Sequence, residues 1–126
     1  MARIGFQVQG TPTTDQSIGS EWRKRIIATV QAKAHQERWP IPIRPSKNGF
    51  RVVVRFRLDK AFETTDLDNL VKPVLDALFL CGEIYKLDMQ TEAALSDLHD
   101  SSVESLLIEK TKSVNEGISV ELEWTE

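Results

Sequence analysis

The pattern of apolar and polar positions predicts four β-strands, and in three of them the two kinds of residue alternate. Residues 4–9 alternate in this way and are followed by the turn signal Gly10-Thr11-Pro12. Residues 50–58 give the clearest pattern, because even positions are apolar while arginines recur at odd positions, on the opposite face of the strand. Residues 118–124 also alternate, and a glycine-containing turn at residues 115–117 joins them to another predicted strand at residues 103–111.

Apolar residues spaced three and four apart predict two helices. The first is capped by Ser20 or Ser17 and continues to about Glu37, with Arg23, Lys24, Arg25 and Lys33 facing outward or aside. The second begins with Asp66 as N-cap and continues to about Leu80. Pro73 lies beyond its first turn, so we expect a bend or a later start.

The order β, α, β, α, β, β predicts an α+β fold, with helices packed on one side of a mixed or antiparallel sheet. A short strand at residues 84–85 and weak helical character at residues 91–98 are the least defined segments. The 126 residues suit a single domain spanning residues 1–126, and a composition of 40% hydrophobic and 28% charged residues is that of an ordinary globular protein.

Charge and cysteine content narrow the classes of protein. No run of about 18 apolar residues predicts a membrane span, and the N-terminus lacks signal-peptide features, so we expect a cytoplasmic protein without membrane partners. The single cysteine, Cys81, excludes an intrachain disulfide. The net charge of −3 conceals a split, since residues 1–60 carry 12 basic and 4 acidic residues (+8), and residues 61–126 carry 4 and 15 (−11). The arginine-bearing face of residues 50–58 is accordingly a candidate for contacting phosphates.

The segment Thr65-Asp66-Leu67-Asp68-Asn69-Leu70-Val71-Lys72 carries the most distinctive chemistry. Asp66 and Asp68 alternate at a loop-to-helix junction, where both can reach one hard cation such as Mg²⁺, which prefers carboxylate oxygens and water. Helical spacing aligns Asp68, Lys72 and Asp76 on one stripe, opposite an apolar one. Carboxylates at a helix start also serve as caps and match the macrodipole, which is the simpler interpretation of the two aspartates.

This motif, Asp-Leu-Asp-Asn-Leu-x-Lys-x-x-x-Asp-Ala-Leu, resembles the signature of the RusA-like endodeoxyribonucleases, which resolve Holliday junctions in DNA recombination and repair. The resemblance implies that Asp66, Asp68 and a third aspartate bind Mg²⁺, with Mn²⁺ as a possible substitute, and that Lys72 is needed for cleavage. It also implies a homodimer that acts on branched DNA without a nucleotide cofactor.

Two positions compete for the third aspartate. Asp88 lies near the family's usual distance from the helix but lacks a second aspartate beside it. Asp100, in His99-Asp100-Ser101-Ser102-Val103, matches the family's segment better and leads into a predicted strand. Asp100 requires an insertion of about a dozen residues, which a surface loop tolerates because its closure cost grows only logarithmically. We therefore expect Asp100 to be the third ligand, with Asp88 as the alternative.

The resulting hypothesis is Mg²⁺-dependent hydrolysis of a DNA phosphodiester, with paired cuts at a four-way junction. Asp76 is assigned the role of orienting Lys72, and His99 that of a polar loop residue. Two other functions remain open: a metal-dependent nuclease without junction preference, and a non-catalytic DNA-binding dimer with a degenerate metal site. A carboxylate within metal reach of both Asp66 and Asp68 would distinguish the enzyme from the binding protein.

Overall fold

A computed structural model describes residues 1–15, 20–79, 94–98 and 100–126. Along the chain the elements are β1 (Ala2–Gln9), α1 (Glu21–Glu37), β2 (Lys47–Leu58), α2 (Leu67–Leu78), a short 3₁₀ turn (Asp100–Ser102), β3 (Val103–Lys112) and β4 (Gly117–Thr125). The α+β class and the order β, α, β, α, β, β predicted from the sequence are confirmed.

The four strands form one mixed sheet in the order β1-β4-β2-β3. Strand β4 pairs antiparallel with both β1 and β2, whereas β2 and β3 run parallel. Strands β3 and β4 are consecutive in sequence but are not neighbours, so the turn between them crosses the end of β2, where Ser113 N–H donates to the Leu58 carbonyl at 2.8 Å. The parallel pair requires a crossover connection, and α2 lies within it.

One face of the sheet is buried beneath both helices. The buried side chains alternate along the three strands β1, β2 and β4, as expected when a sheet packs on one side only. Together with the apolar stripes of the helices they form one core: Ile4, Phe6, Val8, Trp22, Ile26, Val30, Phe50, Val52, Val54, Phe56, Leu58, Leu70, Val74, Ala77, Leu78, Ile118, Val120, Leu122 and Trp124. The predicted placement of helices on one side of the sheet agrees with this burial.

Helix α1 begins where the sequence predicted, with Ser20 as N-cap accepting a hydrogen bond from Arg23 N–H at 3.2 Å. The expectation that Arg23 faces outward or aside is wrong, because this side chain is only 2% exposed. Its position explains the burial: Arg23, Ile26 and Val30 are three and four residues apart and lie on the same helical face.

Helix α2 starts at Leu67, so Pro73 lies inside it and the later start allowed by the sequence is wrong. The residues after α2 that are described, 94–98, are not helical, contrary to the weak prediction there. They pack against the end of α2 instead, with Ala94 N–H donating to Ala77 O at 2.8 Å and Ser96 Oγ donating to Ile43 O at 2.7 Å. The predicted strand at residues 84–85 lies outside the described residues.

An ion pair connects the segment before β2 to the described residues that follow α2. The Arg44 guanidinium hydrogen-bonds to Asp97 and lowers the pKa of that carboxyl below its usual value. Of the helices that the structure describes, neither is long and apolar enough to cross a membrane.

Truncating the core side of β2 should destabilise the protein far more than truncating its outer side. Phe56 is fully buried, so Phe56→Ala should lower the free energy of unfolding by about 3–5 kcal/mol. Val53, on the opposite face, is only partly buried, and Val53→Ala should cost less than about 1.5 kcal/mol. Urea denaturation of the two variants measures the difference, and equal losses would contradict the one-sided core.

Candidate metal centre at the start of helix α2

Residues 59–66 connect β2 to α2 and present the aspartate motif. Asp66 occupies the N-cap position with an extended backbone (φ −75°, ψ 135°), and Asp68 lies in the first turn. The side chain of Asp66 makes no capping hydrogen bond, in contrast to Ser20 of α1. The simpler interpretation of Asp66 as a helix cap therefore lacks the hydrogen bond that defines such a cap.

The polar side chains of the motif face solvent together. Asp66, Asp68, Asn69 and Lys72 are all exposed, whereas Leu70, Val71 and Val74 are buried against the sheet. This agrees with the two-sided helix that the sequence predicted. Asp76 departs from its stripe because it is only 8% exposed, and its assigned role of orienting Lys72 stays a prediction.

Asp100 lies at the other end of α2 from Asp66 and Asp68. It precedes Val103, which pairs with Phe50 at the start of β2, and the Phe50 ring contacts Phe79, the residue that follows α2. The segment that carries Asp100 also packs closely against Gly49, the residue before Phe50. A Cβ added to Gly49 would lie 1.9 Å from the Ser102 carbonyl oxygen. Asp100 and the Asp66–Asp68 pair therefore lie at opposite ends of α2, whose 12 residues span about 18 Å.

The two ends of β3 give an independent measure of this separation. Lys110, near the end of β3, donates a hydrogen bond to the carbonyl of Phe62 at 2.5 Å, just ahead of Asp66. Asp100 precedes the first residue of the same strand, and the seven steps from Val103 to Lys110 span about 23 Å. A single cation, with oxygen ligands at about 2 Å, cannot be bound by Asp66, Asp68 and Asp100 of the same chain in this arrangement.

Among the described residues, no group of three or more His, Cys, Asp or Glu side chains is arranged to hold a metal ion. The structure therefore brings Asp66, Asp68 and Lys72 to one end of α2 and does not bring Asp100 to them. The alternative third ligand, Asp88, lies outside the described residues, as do His99 and Cys81.

Sequence reasoning missed Lys110, which contacts the loop that carries the motif. Besides its bond to Phe62 O, its Nζ lies 3.5 Å from Thr65 O and 5.0 Å from the centre of the Phe62 ring. Its position in β3 gives no signal that singles it out, because Lys112 follows it on the same face, after Leu106 and Ile108.

The outer sheet face carries both charges rather than the uniform positive charge that β2 alone predicted. Arg55 contacts Glu109 of β3 at 3.4 Å and Glu121 of β4 at 3.5 Å, and Arg3 of β1 contacts Glu121 at 3.2 Å. The reason is the strand order, which inserts acidic β4 between the basic strands β1 and β2. Phosphate contact through this face would have to displace these carboxylates.

No protein-family model matches the chain, and no curated protein matches it. The fold and the site together define the class of this protein. It is an α+β domain with a four-stranded mixed sheet, two helices and an exposed carboxylate pair at the start of the second helix.

Removing the Asp66 carboxylate should have little effect on the stability of the metal-free protein. Ser20→Ala, which removes a formed cap, should cost about 1 kcal/mol of unfolding free energy. Asp66→Ala should cost less, because no capping bond is lost and only its exposed charge near the helix start contributes. Urea denaturation in EDTA compares the two, and a larger loss for Asp66→Ala would restore the capping interpretation.

Proposed function

We propose that this protein is a Mg²⁺-dependent endodeoxyribonuclease that resolves four-way DNA junctions. The observation that carries the proposal is the exposed group of Asp66, Asp68 and Lys72 at the start of α2, in which the Asp66 carboxylate is not used as a cap. The resemblance of the motif to RusA-like resolvases supplies the substrate and the reaction, and the α+β architecture is compatible with it.

The donor chemistry of this group fits Mg²⁺. Proteins commonly bind this ion through one or two carboxylates and leave its other positions to water and substrate phosphates. Asp66 and Asp68 are exposed and two residues apart, so they can provide two carboxylates without the cost of burying charge. When bound, Mg²⁺ would supply Lewis-acid polarisation of the phosphoryl group and of water.

Lys72 follows Asp68 by one helical turn on the exposed side of α2. Its ammonium group would bind the scissile phosphate and stabilise the negative charge that grows on the phosphoryl oxygens in the transition state. The start of α2 adds the positive end of the helix dipole at the same place, which favours an anionic substrate. The expected product carries a 5′-phosphate, as the resemblance implies.

The third carboxylate is proposed to come from a second subunit. A homodimer is implied by the resemblance, and Asp100 lies beyond the far end of α2, a helix about 18 Å long, from the motif of its own chain. Asp100 can therefore join Asp66 and Asp68 only across a dimer interface. Asp88 remains the alternative ligand.

Cleavage of a synthetic four-way junction tests the proposal. With Mg²⁺, the wild-type protein should make paired nicks near the branch point and leave a matched linear duplex intact, and EDTA should abolish the nicks. Asp68→Asn should reduce cleavage to the EDTA background because a metal ligand is lost. Lys72→Met should lower kcat by about 10²–10³ while junction binding persists, because charge stabilisation in the transition state is lost.

The control is Glu63→Gln, which removes an exposed carboxylate of the same loop outside the motif. It should cleave like the wild type. If junction and linear duplex are nicked at equal rates in the presence of metal, the protein is a nuclease without junction preference and the resolvase proposal is rejected.

A subunit-mixing experiment tests the source of the third ligand. Asp68→Asn and Asp100→Asn chains are co-expressed with different tags, and the heterodimer is purified. If Asp100 acts across the interface, this heterodimer has one intact site and should nick a single strand, whereas both mutant homodimers should be inactive. An inactive heterodimer, alongside an active wild-type dimer bearing the same two tags, would contradict the shared site. An active Asp100→Asn homodimer would exclude Asp100 as the third ligand, and cleavage by Asp88→Asn would then test the alternative ligand.

A second candidate function is a non-catalytic DNA-binding dimer. One observation favours it: within the described part of the chain, no third acidic side chain stands with Asp66 and Asp68. The same junction substrate separates the two functions. Tight junction binding without cleavage in Mg²⁺ or Mn²⁺ would support the binding protein and reject the enzyme.

A further inference from the structure

The loop of residues 59–66, which precedes the aspartate motif, is held at both of its ends by side chains from β3 and the turn that follows it. At the start of the loop, Lys112 Nζ donates to Asp59 O at 2.8 Å, and Asp59 N–H donates to the Glu116 carboxylate at 3.1 Å. At its end, Lys110 Nζ donates to Phe62 O at 2.5 Å and lies 3.5 Å from Thr65 O.

The contact at the motif end is made by Lys110, whose side chain is partly buried. Lys110 pairs with Phe56, which is fully buried, and shares the core-directed face of β3 with Leu106 and Ile108. The next residue on that face, Lys112, is exposed, so Lys110 is the one of these two lysines that lies partly buried against the loop. The partly buried lysine is compensated by carbonyl oxygens and by the Phe62 ring, 5.0 Å from its Nζ, so its charge is stabilised by the loop itself.

These contacts act on the backbone immediately before the first aspartate. Thr65 O and Asp66 N belong to the same planar peptide unit, so a group that restrains the Thr65 carbonyl also restrains the orientation in which Asp66 enters α2. Two bonds within the loop complete the restraint, from Thr64 N–H to Ala61 O at 3.3 Å and from Thr65 N–H to Ala61 O at 3.1 Å. Asp66 makes no capping bond, so these loop contacts act together with the backbone bond from Leu70 N–H to Asp66 O, at 3.2 Å, in fixing its entry into α2.

We propose that Lys110 is a positioning residue that holds residues 62–66 so that Asp66 and Asp68 are preorganised to share one divalent cation. The inference rests on the function proposed above and extends it by one residue, which acts through the loop backbone without contacting the metal or the substrate. Metal ligands held by such outer contacts typically lose 10–100-fold in metal affinity when the contact is removed.

The direction in which cation affinity changes when Lys110 is removed distinguishes a positioning role from a purely electrostatic one. If Lys110 acted only as a positive charge near the two carboxylates, its removal would strengthen cation binding by relieving repulsion. If it positions the loop, its removal weakens binding because the ligands lose their preorganised geometry. The two roles therefore predict opposite changes in the affinity for Mn²⁺.

The experiment compares Lys110→Met, Lys110→Arg and the control Thr111→Ala, which alters an exposed residue on the other face of the same strand. Two quantities are measured for each protein: amide hydrogen exchange in EDTA at residues 64–70, and the Kd for Mn²⁺ from electron paramagnetic resonance of free Mn²⁺. Lys110→Met should exchange faster at residues 64–66 and bind Mn²⁺ about 10–100-fold more weakly. Lys110→Arg should retain most of the affinity, because a guanidinium can also donate to both carbonyls.

Unchanged exchange, or Mn²⁺ binding equal to or tighter than the wild type in Lys110→Met, would overturn the proposal. Faster exchange throughout the protein would also overturn it, since the role would then be general stability rather than positioning. Asp68→Asn identifies failure of the proposed function separately: if wild type and Asp68→Asn bind Mn²⁺ equally, the metal site itself is absent. In that case the role of Lys110 toward a metal is rejected as well, and the exchange data show only whether it orders the loop.

Discussion

The parallel pairing of β2 and β3 is the constraint on which the rest of this structure depends. Parallel neighbours must be joined by a crossover, so the chain has to return along the full length of the sheet between them. Helix α2 makes that return and covers the buried face on the way. The start of α2 is consequently fixed at the end of β2, and the approach to β3 is fixed at the opposite end. The positions of Asp66 and Asp100 at opposite ends of α2, a helix about 18 Å long, follow from this topology.

The strand order has a second consequence, for the charges. Because β4 inserts between β1 and β2, the acidic residues of the C-terminal half lie beside the arginines of the N-terminal half. Arg55 thus contacts two glutamates where the sequence of its own strand predicts a basic surface. On the outer face of the described sheet, charges from the two halves of the chain therefore pair with each other. Under the proposed function, DNA would be bound at the end of α2 that carries Lys72 more than on the open sheet face.

Local patterns predicted the elements well and the relations among them poorly. Strand patterns predicted β1, β2, β3 and β4 to within a few residues, and of the two predicted caps of α1, Ser20 and Ser17, the structure has Ser20. The burial of Arg23 was missed, although its spacing from Ile26 and Val30 indicates it, because residue type was weighed above helical position. Lys110 was missed for a different reason. Its partners are carbonyl groups of a loop 45–48 residues away, and backbone groups leave no signature in the sequence.

The sequence by itself determined the class of fold, the limits of its helices and strands, and the exposure of Asp66, Asp68 and Lys72 on one side of a helix. These features depend on periodicity and residue type, which act over a few neighbouring positions. Only the tertiary structure decided that Asp100 lies away from the other two aspartates, that carboxylates accompany the arginines of β2, and that Lys110 holds the loop before Asp66. Each of these depends on strand order and direction, which arise from contacts between distant segments.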